Sequence, residues 1–264
     1  MSYSETKTAA TASFAKDKLQ IKAFSTRDEM GKRAASDIAE AIKSLLQNKP
    51  VINIIFAAAP SQQDCLRYLT ENKSIDWSRI NAFHMDEYIG LPDGAPQSFG
   101  NFLKNHIFAK VPFRTVNYIN GSNPDYEQEC DRYAKLLADN PVDIVCLGIG
   151  ENGHIAFNDP PVADFNDPKA IKVVELDLVC RQQQVNDKCF EELKQVPARA
   201  FTLTIPSLMK AEYMFCVVPA INKAEAVYRT LNEDISEKCP ATILRTKDNV
   251  ILYLDNESSK KLNL

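Results

Sequence analysis

The chain has 264 residues, 45% hydrophobic and 25% charged, a balance that excludes a disordered tail, a collagen-like repeat and a coiled coil. Its 31 basic and 35 acidic side chains leave a net charge of −4 and a pI near 5.5, so no basic excess exists to displace counterions from a nucleic-acid backbone. No apolar run approaches the ~18 residues of a membrane-spanning helix, and the opening MSYSETKTAATASFAKDKLQ lacks the apolar core of a secretion signal, so no membrane association is expected and the cytoplasm is the expected address.

Residues 1–24 read as a polar leader and residues 25–264 as a single domain. From about Asp28 to Leu46 apolar residues recur at helical spacing, as in MGKRAASDIAEAIKSLL, which predicts a first helix. Short apolar runs bounded by breakers follow: VINIIFAAA (51–59), INAFHMDE (80–87), VDIVCLGIG (142–150), IKVVELDL (171–178), AFTLTI (200–205), YMFCVVP (213–219) and NVILYLD (249–255). Continuous Val, Ile and Leu, rather than clean alternation, predicts strands covered on both faces. Between them stand the helix-like stretches SQQDCLRYLTEN, SFGNFLKNHIF, YEQECDRYAKLLADN and NKAEAVYRTLNE. Strands alternating with helices predict an α/β layered fold around a mostly parallel central sheet.

Seven cysteines, at positions 65, 130, 146, 180, 189, 216 and 239, form an odd set with no C-x-x-C pair, and several sit inside apolar runs such as DIVCLGI and MFCVVP. They read as buried thiols in a reducing compartment. With three histidines, His84, His106 and His154, and no H-E-x-x-H spacing, neither a dedicated metal site nor a resident cofactor is expected.

Glycine is scarce, eight in 264 residues against a usual level of about 7%, yet Gly148, Gly150 and Gly153 fall within six positions. Gly148-Ile-Gly-Glu-Asn-Gly153 satisfies the G-x-G-x-x-G pattern after a strong strand, with Glu175 and Asp177 about where a ribose-binding acid would lie. A dinucleotide site, however, needs a helix to start at the third glycine and turn its N–H groups to the pyrophosphate. Here the continuation is His154-Ile-Ala-Phe-Asn-Asp-Pro-Pro161, whose prolines block such a helix. The cluster instead brings the chain off a buried strand into a flexible turn, where Gly153 lets backbone approach a ligand and His154 sits at the edge where open α/β sheets bind ligands. Glu151, Asn152 and Asp159 are placed to orient that imidazole. In INAFHMDEYIGLP, Asp86 and Glu87 end another predicted strand. Strands ending at the same edge would bring Asp86 toward the His154 loop as an acid/base pair, the alternative being a carboxylate that braces a turn.

Phe83-His-Met-Asp-Glu-Tyr-Ile-Gly-Leu-Pro92 and Leu147-Gly-Ile-Gly-Glu-Asn-Gly-His-Ile-Ala-Phe-Asn-Asp-Pro160 resemble the two signature segments of glucosamine-6-phosphate deaminases, in the superfamily shared with 6-phosphogluconolactonases. The likeness extends through Ser98-Phe-Gly-Asn-Phe, Gln195-Val-Pro-Ala-Arg-Ala-Phe-Thr-Leu-Thr and Asn222-Lys-Ala-Glu-Ala, over roughly residues 25 to 255. The lactonase branch typically reads Gly-His-Thr-Ala-Ser-Leu-Phe-Pro after the glycine turn, whereas this chain reads Gly153-His-Ile-Ala-Phe-Asn-Asp.

The resemblance implies a Rossmann-like α/β enzyme that opens an amino-sugar ring, moves a proton from C2 to C1 and releases ammonia, leaving a 2-keto sugar phosphate. Its substrate would be glucosamine 6-phosphate or the galactosamine epimer. By the same resemblance Asp86 shuttles the carbon proton and His154 the ring-opening proton, with Asn152 and Asp159 orienting His154, Glu87 supporting the cleft, and Arg181 and Lys223 binding phosphate. Three departures stand out: Asn152 replaces a frequent aspartate, Asp159 replaces a glutamate, and Phe56-Ala-Ala-Ala-Pro-Ser-Gln-Gln63 replaces a Thr-Gly-Gly-Thr-Pro type loop. The third removes glycines whose N–H groups would cradle phosphate, so binding would lean on Arg181, Lys223, Ser61 and the helix start. Two rivals share the fold: a sugar-lactone hydrolase with His154 activating water, and a non-catalytic sugar-phosphate sensor. Subunit number is left open, with a homo-oligomer as one outcome.

Overall fold

The computed structural model describes residues 8–92 and 94–264; the first seven residues of the expected leader lie outside them. The chain starts with a hairpin, β1 (Ala12–Lys16) and β2 (Leu19–Ala23). Helix α1 (Arg27–Asn48) follows, capped by the Thr26 hydroxyl, which accepts from the Glu29 N–H, with Met30, Ala34, Ile38, Ile42 and Leu45 along its buried face. Next come β3 (Ile52–Phe56), α2 (Gln63–Glu71), β4 (Ile80–His84), β5 (Asp86–Tyr88) and α3 (Phe99–Leu103), which runs on into a π-helical turn, Lys104–Phe108. The remainder is β6 (Thr115–Asn117), α4 (Tyr126–Asp139), β7 (Ile144–Leu147), β8 (Ile171–Glu175), α5 (Leu178–Asn186), β9 (Arg199–Leu203), α6 (Ile205–Met209), β10 (Tyr213–Val218), α7 (Ala224–Asn232) and β11 (Val250–Leu254).

Eight strands form the central sheet in the order β1-β2-β11-β10-β7-β3-β4-β6. All pairs are parallel except the β1–β2 hairpin, so the expected α/β architecture holds. Alternate side chains feed two apolar layers: Ile52, Ile54 and Phe56 of β3 join one, and Ile55 the other. β3, β4 and β7 are buried along their whole length, as continuous apolar runs predict.

Three differences from the sequence reading stand out. Residues 12–23, within the expected polar leader, are the hairpin that docks beside β11, because Leu19, Ile21 and Ala23 alternate onto the sheet while their neighbours face outward. The expected strands at 171–178 and 200–205, and the end of that at 80–87, leave the central sheet to form an antiparallel three-stranded sheet, β5-β9-β8. Helix α5 was hidden because its pattern is inverted: Leu178 and Val179 are exposed, at 63% and 50%, whereas Gln183 and Gln184 are buried.

Candidate active site

From β3 the chain winds outward to β4 and β6; after returning at β7 it winds the other way to β10 and β11. The crevice over the carboxyl ends of β3 and β7 is therefore a topological switch point, the usual ligand position in an open α/β sheet. A cavity opens there, lined by the loops that follow β3, β7 and β10, by Asp86 beyond β4, and by α5. Asp86 and His154, which come from strands on either side of β3, both face it.

The loop after β7 is shaped by close approach. A Cβ on Gly150 would lie 2.1 to 2.3 Å from the His154 ring, and one on Gly153 would lie 2.5 Å from the Cys239 Sγ. Gly153 has φ +89°, so its role is the turn itself, and it does not line the cavity. Asn152 Nδ2 donates to Asp159 Oδ1 at 2.8 Å, which turns the Asn152 Oδ1 toward His154 Nδ1, also at 2.8 Å. Nδ1 lies 2.8 Å from Asp159 Oδ1 as well. Facing two acceptors, Nδ1 carries the proton, which leaves Nε2 as the basic nitrogen. Burial raises the Asp159 pKa, but the charge of His154 and hydrogen bonds from His154 and Asn152 outweigh it and hold the carboxyl below its usual range. Asn152 and Asp159 thus stand behind the imidazole, away from the cavity lining.

Asp86 lies where the chain leaves one sheet for the other. His84 Nδ1 donates to the Asp86 carbonyl at 2.9 Å, and the Ile119 N–H donates to His84 Nε2 at 2.9 Å; burial pushes the His84 pKa down to about 4, so this ring is a neutral brace. Asp86 pairs with Thr202 of β9. The Thr202 hydroxyl accepts from the Phe157 N–H at 3.0 Å, and Asn158 Nδ2 donates to the Leu203 carbonyl at 2.9 Å. Strand β9 therefore holds both signature segments at once. The Asp86 carboxyl accepts no hydrogen bond from the described residues, and burial, reinforced by the neighbouring Glu87 charge, pushes its pKa well up. Glu87 points away from the cavity: its carboxylate accepts from the N–H groups of Tyr88, Phe99 and Gly100 at 2.8 to 2.9 Å. It braces the start of α3, and burial still lifts its pKa to about 7.

At the other end of the cavity, Ser61 Oγ accepts from Gln62 Nε2 at 3.1 Å, leaving the hydroxyl proton for a ligand. Gly148 permits this packing, since a Cβ there would stand 3.1 Å from Gln62 Nε2. Lys223, in the 3-10 turn Ile221–Lys223 after β10, is buried and lines the cavity; burial lowers its pKa, opposed by the charges of Asp187 and Glu151. Arg181 does not line the cavity. Its Nη2 donates to the carbonyls of Leu193 and Val196 at 2.9 and 2.8 Å, which holds the guanidinium against the segment after α5, while Gln183 and Gln184 of that helix and Asp187 just past its end line the cavity. These three, with Arg27, Asn222 and Gly150, are cavity residues that sequence reasoning missed. Gly150 carried a sequence signal in its place in the turn, and Asn222 in the segment Asn222-Lys-Ala-Glu-Ala beside Lys223.

Among the described residues, His154, Asp159 and Cys180 offer donor atoms within 4.8 Å of one another and are the side chains that could hold a metal ion. Burial pushes the Cys180 thiol well up, which disfavours the thiolate a metal needs, and the Nδ1 and Oδ1 atoms already serve each other.

A switch-point crevice onto which a buried carboxyl and an oriented imidazole both open is the site of an α/β acid/base enzyme. Residues 25–253 match the family described as "Glucosamine-6-phosphate isomerases/6-phosphogluconolactonase", and the chain belongs to that family. It is 35% identical, over 91% of its length and 88% of theirs, to the glucosamine-6-phosphate deaminases of Bacillus cereus (strain B4264) and Bacillus thuringiensis (strain Al Hakam). Among solved structures, a monomeric glucosamine-6-phosphate deaminase superposes with a TM-score of 0.82 at 28% identity, covering 91% of this chain and 98% of that one. The 6-phosphogluconolactonase of Trypanosoma brucei superposes with a TM-score of 0.74 at 18% identity, over 95% and 100% of the two chains, and shares the fold.

Proposed function

We propose that the protein is a glucosamine-6-phosphate deaminase that converts its substrate and water to the 2-keto sugar phosphate and ammonia, with galactosamine 6-phosphate as the epimer to be tested beside it. The carrying observation is that Asp86 and His154 open onto one cavity while the Asp86 carboxyl accepts no hydrogen bond from the described residues. His154 Nε2 takes the anomeric hydroxyl proton and returns it to the ring oxygen as the ring opens; Asn152 and Asp159 keep its tautomer. Asp86 then removes the C2 proton and delivers it to C1; burial raises its pKa, which makes its carboxylate a stronger base than an exposed one. Hydrolysis of the resulting C2 imine releases ammonia. Ser61 and Lys223 support phosphate at the far end of the cavity.

No helix among the described residues is long and apolar enough to cross a membrane. The cysteines are free thiols, in keeping with the cytoplasm as the address we propose; subunit number is a matter for sedimentation. The decisive assay measures ammonia together with ketose phosphate from glucosamine 6-phosphate. Asp86→Asn is expected to lower kcat by about 10²–10⁴-fold. Full turnover in that variant removes the role assigned to Asp86, and phosphate-sugar binding without ammonia from the wild type returns the sensor reading.

A further inference from the structure

We propose that Arg27, at the start of α1, is the guanidinium that completes the anion end of this cavity and selects a phosphorylated over an unphosphorylated amino sugar. The inference rests on the deaminase reading for its substrate but on separate observations for its residue. Arg27 lines the cavity beside Ala59, Pro60 and Ser61. It sits in the first turn of α1, where the helix dipole disfavours a cation, so its position is explained by what it reaches rather than by the helix.

What it reaches is built from three elements. α1 and α2 approach so closely that a Cβ on Gly31 would lie 2.6 Å from the Asp64 Cβ. That approach brings Asp64 Oδ2 to Arg27 Nε at 2.5 Å, and Arg27 Nη2 donates to the Pro60 carbonyl at 2.5 Å. The Nε–Nη2 edge of the fork is thereby spent on fixing the guanidinium over the loop. The Nη1–Nη2 end is left for a bidentate contact with an oxyanion. The loop beneath it, Ala57-Ala-Ala-Pro-Ser61, has no glycine and Pro60 has no N–H, so it is a poor backbone cradle by itself. Charge points the same way. Lys223 is the other cation lining the cavity, and Asp187 lines it too while Glu151 lies within electrostatic reach of Lys223. One lysine offset by these carboxylates is a weak anchor for a phosphate dianion; Arg27, its own charge partly met by Asp64, adds a fixed pair of N–H donors at the same end of the cavity.

The test compares the full-length wild type with Arg27→Met, Arg27→Lys and, as a surface control, Arg67→Met, whose guanidinium pairs with Asp28. Two readouts are used: KM and kcat for glucosamine 6-phosphate beside glucosamine, and the rise in melting temperature with inorganic phosphate. Arg27→Met is expected to raise KM for the phosphorylated sugar at least tenfold, with a much smaller change in kcat, to narrow the preference over glucosamine, and to abolish stabilisation by phosphate. Arg27→Lys falls between, and the control behaves as wild type. An unchanged KM and an undiminished phosphate shift in Arg27→Met overturn the proposal. If Arg27→Met does not melt cooperatively, Arg27→Lys decides: it keeps the charge but loses the fork, so a wild-type KM and phosphate shift there overturn the proposal equally. If the wild type releases no ammonia, the deaminase reading fails, while the phosphate melting shift still judges Arg27.

Discussion

Gly150 is the residue on which the geometry of His154 turns. The ring packs against a position where any side chain would overlap three of its atoms, so the glycine is required by a neighbour in space rather than by its own backbone angle. Gly150→Ala is therefore expected to push the imidazole out of line with Asp86, lowering kcat/KM by about 10²-fold or more, since a displacement of about 1 Å suffices for such a loss. Circular dichroism and a melting curve alongside the ammonia assay check that the fold survives. Asn152 makes a related point. Read as sequence, it looks like the loss of a charge beside the histidine; in the folded loop its amide spans Asp159 and His154 and fixes the tautomer by hydrogen bonding. The identity of a residue shows its chemistry, but the atom it serves depends on how the turn closes.

At the scale of elements, the short strand β5 links the two sheets and carries Glu87 at its middle, whose carboxylate gathers the N–H groups of Tyr88 and the start of α3. Burial raises its pKa to about 7 from 4.5, so the folded state holds this proton more tightly than the unfolded one. The stability this contributes is fully present below pH ~4.5 and is lost as pH rises through 7, by roughly 3 kcal/mol. Glu87→Gln cannot titrate. Urea unfolding at pH 5 and pH 8 should show the wild type losing stability relative to the variant on going to pH 8, and a difference that stays constant would refute the burial argument. His84, held near 4 by burial, titrates in the opposite sense, its contribution falling as pH drops from about 6.5 toward 4, which is why the comparison with Glu87→Gln is needed to isolate the carboxyl. Helix α5 illustrates the limit of periodicity: it turns glutamines toward a polar cavity and apolar residues outward, so a search for an apolar face passes over it.

For the molecule as a whole, the N-terminal hairpin covers the edge of β11, which would otherwise expose unpaired backbone groups on an apolar strand. Ile21 is fully buried in that contact. Ile21→Ala is expected to lower the unfolding free energy by about 2–5 kcal/mol, read from urea denaturation; a loss under about 0.5 kcal/mol would show that residues 12–23 are the dispensable leader their composition suggests. The alternation of the central strands with helices α1, α2, α4 and α7, the parallel character of the main sheet and the two signature turns were legible in the chain, whereas the N-terminal hairpin and α5 were not. Each depends on a local matter, namely whether a run of ten residues buries its faces and how it stops. The antiparallel sheet, the bracing of both signature turns by Thr202, and the choice of Arg27 over Arg181 at the cavity were settled only by tertiary pairing. A residue's neighbours across a sheet or between helices are set by contacts tens to hundreds of positions away, and no local spacing records which of two arginines will be turned toward the crevice.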